Sequence, residues 1–182
     1  MSSASHALRH GAGALVLVAG TVAGTVAAAA EPGASPASCG MPDFVATALD
    51  RINQVRARGA DCGSGGRFGP VPPVTWSDAL ARAAARHARD MVARNTLSHT
   101  GGEGATLADR VDAEGYAWAS VGENVAGGYP GIDAVVAGWV KSPGHCKNLM
   151  TARFTEVGLA CVRGTDASAF SHYWTLNFAR PR

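Results

Sequence analysis

Three side chains stand out for the chemistry their types allow. Glu123 is an acid inside Val121-Gly-Glu-Asn-Val-Ala-Gly-Gly128, a run otherwise small and apolar apart from Asn124. His99 lies in Leu97-Ser-His-Thr100 and His145 in Ser142-Pro-Gly-His145, 24 residues before Glu123 and 22 after it. A carboxylate in such a run is either desolvated and paired or faces a cleft that needs it. Two imidazoles and a carboxylate could hold Zn²⁺ and leave a fourth position to water. Hydrolysis at such a site also needs a positioned general base and oxyanion donors. The competing reading is structural, with Glu123 hydrogen-bonding the histidines and the Asn124 backbone to fasten helices to a sheet. No H-E-x-x-H occurs, and the H-x-x-x-H at His6-Ala-Leu-Arg-His10 includes none of the three, so spacing alone does not gather them. Ser98 and Ser142 stand near histidines, but neither lies in a G-x-S-x-G elbow, which argues against a serine nucleophile.

The elements that must position these groups follow from hydrophobic periodicity. Val45, Leu49, Ile52 and Val55 predict a helix over about 44–58 behind an Asp43 cap. Gly and Pro dictate a loop over 59–73. Ser77-Asp78 starts the clearest helix, whose stripe is Leu80, Ala83, Ala84, His87, Ala88, Met91 and Val92, with Arg82, Arg86, Arg89 and Asp90 facing out. A histidine within such a stripe is a core residue, so His87 is not assigned to the site. Thr106 can cap a short helix over 107–114, with Gly115 as its left-handed stop. Tyr116 and Trp118 read as packing residues. Val135, Val136, Trp139 and Val140 predict a helix over about 133–141, which Pro143-Gly144 cannot continue. Two strands, 154–162 and 170–178, form a late β-hairpin. Helices first and strands late imply an α+β layer fold.

The 182 residues fit one domain, and the 16 basic against 14 acidic side chains are interspersed, leaving no nucleic-acid footprint. Arg9 and His10 precede an apolar run ending Ala28-Ala-Ala30, the pattern of a secretory signal peptide over 1–30. A transmembrane anchor is the alternative, but the run is mostly Ala and Gly, and no stable membrane anchor is expected after cleavage. Residues 31–42, rich in Ala, Ser, Pro and Gly, read as a flexible lead-in, and 43–182 as the domain. The expected location is extracellular or periplasmic. Cys39, Cys62, Cys146 and Cys161 are an even set in an exported chain, which argues for two disulfides with three possible connectivities. The preferred pairing is Cys39–Cys62 with Cys146–Cys161, each bracketing one local unit. A zinc cluster is disfavoured because no C-x-x-C occurs. Pro36-Ala-Ser-Cys39 is a poor lipobox.

Several segments, in order, resemble one family. They are Trp76-Ser-Asp-Ala-Leu-Ala81, Ala84-Arg-His-Ala-Arg-Asp-Met91, Ser98-His99, Gly115-Tyr116, Gly122-Glu-Asn-Val-Ala126, Trp139-Val-Lys-Ser-Pro-Gly-His145, Asn148-Leu149 and Phe154-Thr-Glu-Val-Gly158. Together they are similar to the bacterial branch of the CAP superfamily, also called the SCP domain. The resemblance implies a three-layer α-β-α sandwich. Its central cleft would be lined by His99, His145 and Glu123 and could take a divalent cation such as Zn²⁺. The family's second cleft acid falls on Ser142 here, and Glu156 is the conceivable substitute. The resemblance further implies a monomeric secreted binding or interaction module for a small apolar ligand, sterol or lipid, or for a protein partner. The alternative is a metal-dependent peptide or ester hydrolase using the same cleft.

Overall fold

The computed structural model describes Met1 and residues 37–182. The expected signal peptide lies outside the described residues, as do residues 31–36 of the lead-in. In chain order the elements are α1 (Phe44–Arg58), β1 (Ala60–Asp61), β2 (Arg67–Phe68), β3 (Thr75–Trp76), α2 (Asp78–Ala93) and α3 (Leu107–Asp112). There follow β4 (Trp118–Gly127), α4 (Ile132–Lys141), α5 (Pro143–Leu149), β5 (Glu156–Arg163) and β6 (His172–Pro181).

The main sheet has the order β3-β5-β6-β4, with β5 and β4 antiparallel to β6 and β3 parallel to β5. Its register sorts side chains to two faces. Val121, Glu123 and Val125 on β4 lie opposite Ala179, Asn177 and Thr175 on β6, which in turn pair with Glu156, Gly158 and Ala160 on β5. This face receives α2 and α3, through Leu80, Ala83 and Val111 around Ala179 and through Met91 against Val125 and Tyr173. The other face carries Trp174, Leu176, Phe178, Val157 and Leu159, packed with Phe44 and Ile52 of α1, Val135, Val136 and Trp139 of α4 and Leu149 of α5. The chain is an α+β, three-layer α-β-α sandwich, as the resemblance implied.

Close packing explains two glycines. A Cβ at Gly158 would stand 2.1 Å from the Ala81 backbone nitrogen, so α2 lies directly on β5 only because that side chain is missing. We expect Gly158→Ala to cost at least the ~1–3 kcal/mol typical of overpacking, read in denaturant unfolding. A Cβ at Gly122 would meet the Phe154 ring at 2.8 Å, which gives the glycine before Glu123 a packing role.

Several local expectations need correction. Asp43 does not cap α1: it is left-handed (φ 47°) and its side chain makes no cap bond. The buried stripe of α1 is Phe44, Ala48, Ile52 and Arg56, so the helix turns a charged residue inward. Arg56 is fully buried and donates to the carbonyls of Pro72, Leu149, Thr151 and Phe154, which ties α1 to the end of α5. Pro143 does not simply end a helix. It opens α5 at the first turn, where a missing N–H costs nothing. The Glu123 stretch, which periodicity does not mark as a strand, is the ten-residue edge strand β4. Other expectations agree with the structure. Ser77 accepts from Leu80 N, Thr106 and Asp109 form a capping box, and Gly115 is left-handed (φ 72°).

The cysteine pairing also differs. The disulfides are Cys39–Cys161 and Cys62–Cys146. The chain before α1 runs beside β5 beyond the end of β3, with Cys161 N donating to Ala37 O and Cys39 N to Cys161 O. The lead-in is therefore fastened to the sheet from Ala37 on. The turn around Cys62 packs on α5, where Gly65 lies so close to Pro143 O that a Cβ would stand 2.6 Å away. Each bridge joins segments adjacent in space and distant in sequence.

Candidate functional site

Glu123 projects from β4 toward the α2 and α3 layer and is 7% exposed. Both carboxylate oxygens are engaged. Oε1 accepts from His99 Nδ1 at 2.9 Å, and Oε2 accepts from Arg110 Nη2 at 2.6 Å. Arg110 comes from α3, is itself 7% exposed, and also donates to Ala105 O and His99 O. One guanidinium thus neutralises the buried acid and holds the loop carrying His99. His87 on α2 is fully buried, with Nε2 donating to Ser98 O at 2.7 Å and lying 3.9 Å from Glu123 Oε1. Its role is to brace the loop from below.

His145 arrives from the opposite layer. Asn124 points to the other face from Glu123, and its Nδ2 donates to the His145 carbonyl at 3.1 Å. Asn148 Nδ2 donates to the Glu123 carbonyl and to Asn124 Oδ1, binding α5 along the free edge of β4. Trp139 Nε1 closes the next edge carbonyl, that of Val125. Consequently the His145 ring stands across the strand edge from the His99 ring, centroids 6.4 Å apart. The Gly-Glu-Asn run works as a unit: glycine makes room for Phe154, glutamate holds one histidine, and asparagine holds the helix carrying the other.

The fold brings His99, Glu123 and His145 together. Glu156 stands apart on β5, where its carboxylate accepts from the Tyr116 hydroxyl at 2.9 Å. Burial and that carboxylate raise the Tyr116 hydroxyl pKa. Arg110 was missed by sequence reasoning. Its one signal is position, the helical residue four beyond the Thr106 cap and one before Val111, on the inward side of α3.

Electrostatics separates the histidines. The hydrogen bond and charge of Glu123 raise the His99 pKa against the opposing effect of burial. Burial, then the neighbouring His99 charge, lowers that of His145. Burial lowers that of His87. Rising pH should therefore deprotonate His145 before His99, with the ordinary value of about 6.5 between them. Histidine ring NMR titration checks this order, and His145 titrating above His99 would contradict the geometry. For stability the signs oppose. The His99–Glu123 bond adds stability below the ordinary value, lost as pH rises through the raised pKa. Burying His87 and His145 favours their neutral forms, so their contribution is present above about 6.5 and lost as pH falls through their lowered values.

Each carboxylate oxygen accepts one hydrogen bond, which holds Glu123 against His99 and Arg110. Among the described residues no three His, Cys, Asp or Glu side chains form a metal-binding group. What the arrangement does offer is two imidazoles. With Nδ1–H committed to Glu123, neutral His99 presents its Nε2 lone pair, the carboxylate–histidine device that orients ligands in metal sites.

The Cysteine-rich secretory protein family model, CAP, matches residues 49–178. The chain belongs to the cysteine-rich secretory protein (CAP) family. It is 32% identical over 107 residues to the uncharacterized membrane protein YlbC of Bacillus subtilis, covering 59% of this chain and 29% of that one. It is 27% identical over 108 residues to the uncharacterized protein YkwD of the same organism, covering 59% and 40%. The chain thus spans well under half the length of these curated relatives. Among solved structures, it is similar to an extracellular protein containing an SCP domain from Bacillus anthracis, at TM-score 0.60 and 28% identity over 77% of this chain and 44% of that one. It shares its fold with an outer surface protein of Borrelia burgdorferi, at TM-score 0.62 and 19% identity, covering 75% and 92%. Among the described residues no helix is long and apolar enough to cross a membrane.

Proposed function

We propose that this chain is an exported binding module whose cleft holds a divalent cation, Zn²⁺ in the first instance, between His99 and His145. Glu123 is the orienting group rather than a ligand, and the remaining positions on the ion belong to water. The carrying observation is the commitment of both Glu123 oxygens, one to His99 Nδ1 and one to Arg110. It leaves the cleft with nitrogen donors and without a free carboxylate base, which favours binding over metal-dependent hydrolysis.

We extend the proposal to a small apolar ligand, the expectation drawn from the resemblance, for which a second surface offers a place. A groove of about 450 Å³ between α1 and α4 has Val55, Val136 and Val140 among its lining, with Arg58, Lys141 and an Arg51–Asp133 ion pair also contributing. Apolar walls beside cations suit an amphipathic molecule with an acidic head. Export of such a module accords with two disulfides and with relatives described as extracellular or outer surface proteins. Equilibrium binding of a fluorescent fatty acid, beside ester and peptide turnover with zinc or chelator, tests the proposal. Saturable binding without turnover is expected. Turnover lost on chelation and restored by zinc would replace the module with the hydrolase.

A further inference from the structure

The free edge of β4 carries an uneven set of hydrogen-bonding groups beside the cleft. Gly128 N donates to His172 O at the end of the β4–β6 ladder, so in this register the even-numbered residues of β4 bond to β6. The odd-numbered ones, Val121, Glu123 and Val125, turn their N–H and C=O groups outward. Two of the three outward carbonyls are already claimed, Glu123 O by Asn148 Nδ2 and Val125 O by Trp139 Nε1. N–H and C=O alternate along such an edge, so the Val125 N–H is enclosed between those two caps. The Glu123 N–H is capped on one side only, and on its other side stands the Val121 carbonyl. Neither of these two groups has a partner among the described residues. The edge is open here. Val121 and Gly122 are half-buried, and the Glu123 side chain is 3% exposed against 7% for the whole residue, so its backbone is the more open part.

A Val121 carbonyl and a Glu123 N–H are the pair that one residue of a parallel strand would bond, its N–H to the first and its C=O to the second. Such a strand could not go on, because the next acceptor on the edge, Glu123 O, is taken by Asn148. A C-terminal residue meets this limit. Its amide N–H donates to Val121 O, one carboxylate oxygen accepts from Glu123 N–H, and the other is left toward the His99 and His145 rings, whose centroids are 6.4 Å apart. The Glu123 carboxylate does not oppose it, since that group projects toward α3 and is neutralised by Arg110. An antiparallel strand would use both groups of Val121 and bring its amino end to the histidines, the wrong charge beside a cation. We infer that the β4 edge at Val121–Glu123 is a binding site for the free C-terminal carboxylate of a peptide, a known mode of backbone recognition. Its contact with a cation rests on the proposed His99–His145 site, whereas the two edge bonds do not.

The test is ¹⁵N NMR titration of the disulfide-intact chain, with and without Zn²⁺, using N-acetylglycine as the smallest such terminus. A saturable shift of the Glu123 amide is expected, with the Val121 amide unmoved and the affinity higher when zinc is bound. N-acetylglycinamide, which lacks the carboxylate, should bind roughly tenfold more weakly or worse, the loss of one hydrogen bond to a charged group. N-acetylsarcosine, which lacks the amide N–H, should also bind more weakly. Calorimetry of zinc on the same sample reads the cation site separately. Zinc bound with no saturable shift at Glu123, or equal affinity for all three probes, would overturn the inference and leave the cation site standing. A carboxylate-dependent Glu123 shift without zinc binding would support the edge site and remove the cation from it. Val121 moving together with Glu123, equally for the acid and the amide, would mean an antiparallel strand and would overturn the inference as well.

Discussion

Glu123→Gln is expected to destabilise the fold by about 3–5 kcal/mol, the usual cost of breaking one side of a buried ion pair. The substitution leaves the Arg110 guanidinium buried without its counter-charge, and the amide offers His99 a different set of donors. Arg110→Ala should cost a similar amount for the mirror reason, since the carboxylate then keeps only His99. Because His99 can take up a proton to compensate, the Arg110→Ala penalty should shrink as pH falls through the raised His99 pKa. The double change Glu123→Leu with Arg110→Met should recover part of the loss, because an apolar pair no longer strands a charge. Chemical unfolding of the three variants at two pH values reads all of this. Additive losses in the double variant would show that the two residues do not act as a pair.

Removing either disulfide is expected to be equally severe. The bridges close spans of 122 residues for Cys39–Cys161 and 84 for Cys62–Cys146. In chain-entropy terms each is worth about 4–5 kcal/mol, more than a bridge within one local unit would give. Cys146→Ser has a further consequence, because Cys146 follows His145 and is fully buried where α5 meets the Cys62 turn. Loss of that bridge should loosen His145 as well as lower the unfolding midpoint. Cys39→Ser should lower the midpoint and leave the histidine signals in place. Denaturant melts and histidine NMR of the two variants separate the effects. Peptide mapping that linked Cys39 to Cys62 would overturn both.

The contrast between the two pairings shows where sequence reasoning stopped. Periodicity located α1, α2, α4 and the β5–β6 pair because each buries one stripe or face, and burial writes its period into the residues. It could not see that the chain before α1 returns to the edge of β5, or that α5 packs on the Cys62 turn. Those contacts depend on topology, and the cysteines carry no direction. The β4 strand escaped for a different reason. Its glycines interrupt the alternation that marks a strand, whereas Gly122 is there to admit Phe154. Within the site, the three residues His99, Glu123 and His145 were legible from type and motif order. Their division of labour was not, since it depends on Arg110 claiming the second carboxylate oxygen. A buried arginine in a short helix looks like any surface arginine until its partner is known, and Arg56 in α1 shows the same ambiguity.

The central claim is that His99 and His145 together bind a divalent cation, with Glu123 orienting His99 from behind. Calorimetric titration of Zn²⁺ into the folded, disulfide-intact chain tests it most directly, run on wild type, His99→Ala, His145→Ala, Glu123→Gln and His87→Ala. Wild type should bind saturably, with an affinity that weakens as pH falls through the His99 pKa, because both rings must be neutral. Each of His99→Ala and His145→Ala should abolish most of the affinity, and a variant carrying both substitutions should lose little more. Glu123→Gln should weaken it by about 10–100-fold, as loss of an orienting carboxylate does, and His87→Ala, which removes the brace beneath the His99 loop, should weaken it less than loss of either cleft histidine. No zinc binding by correctly folded wild type, or binding that survives loss of either cleft histidine, would contradict the claim.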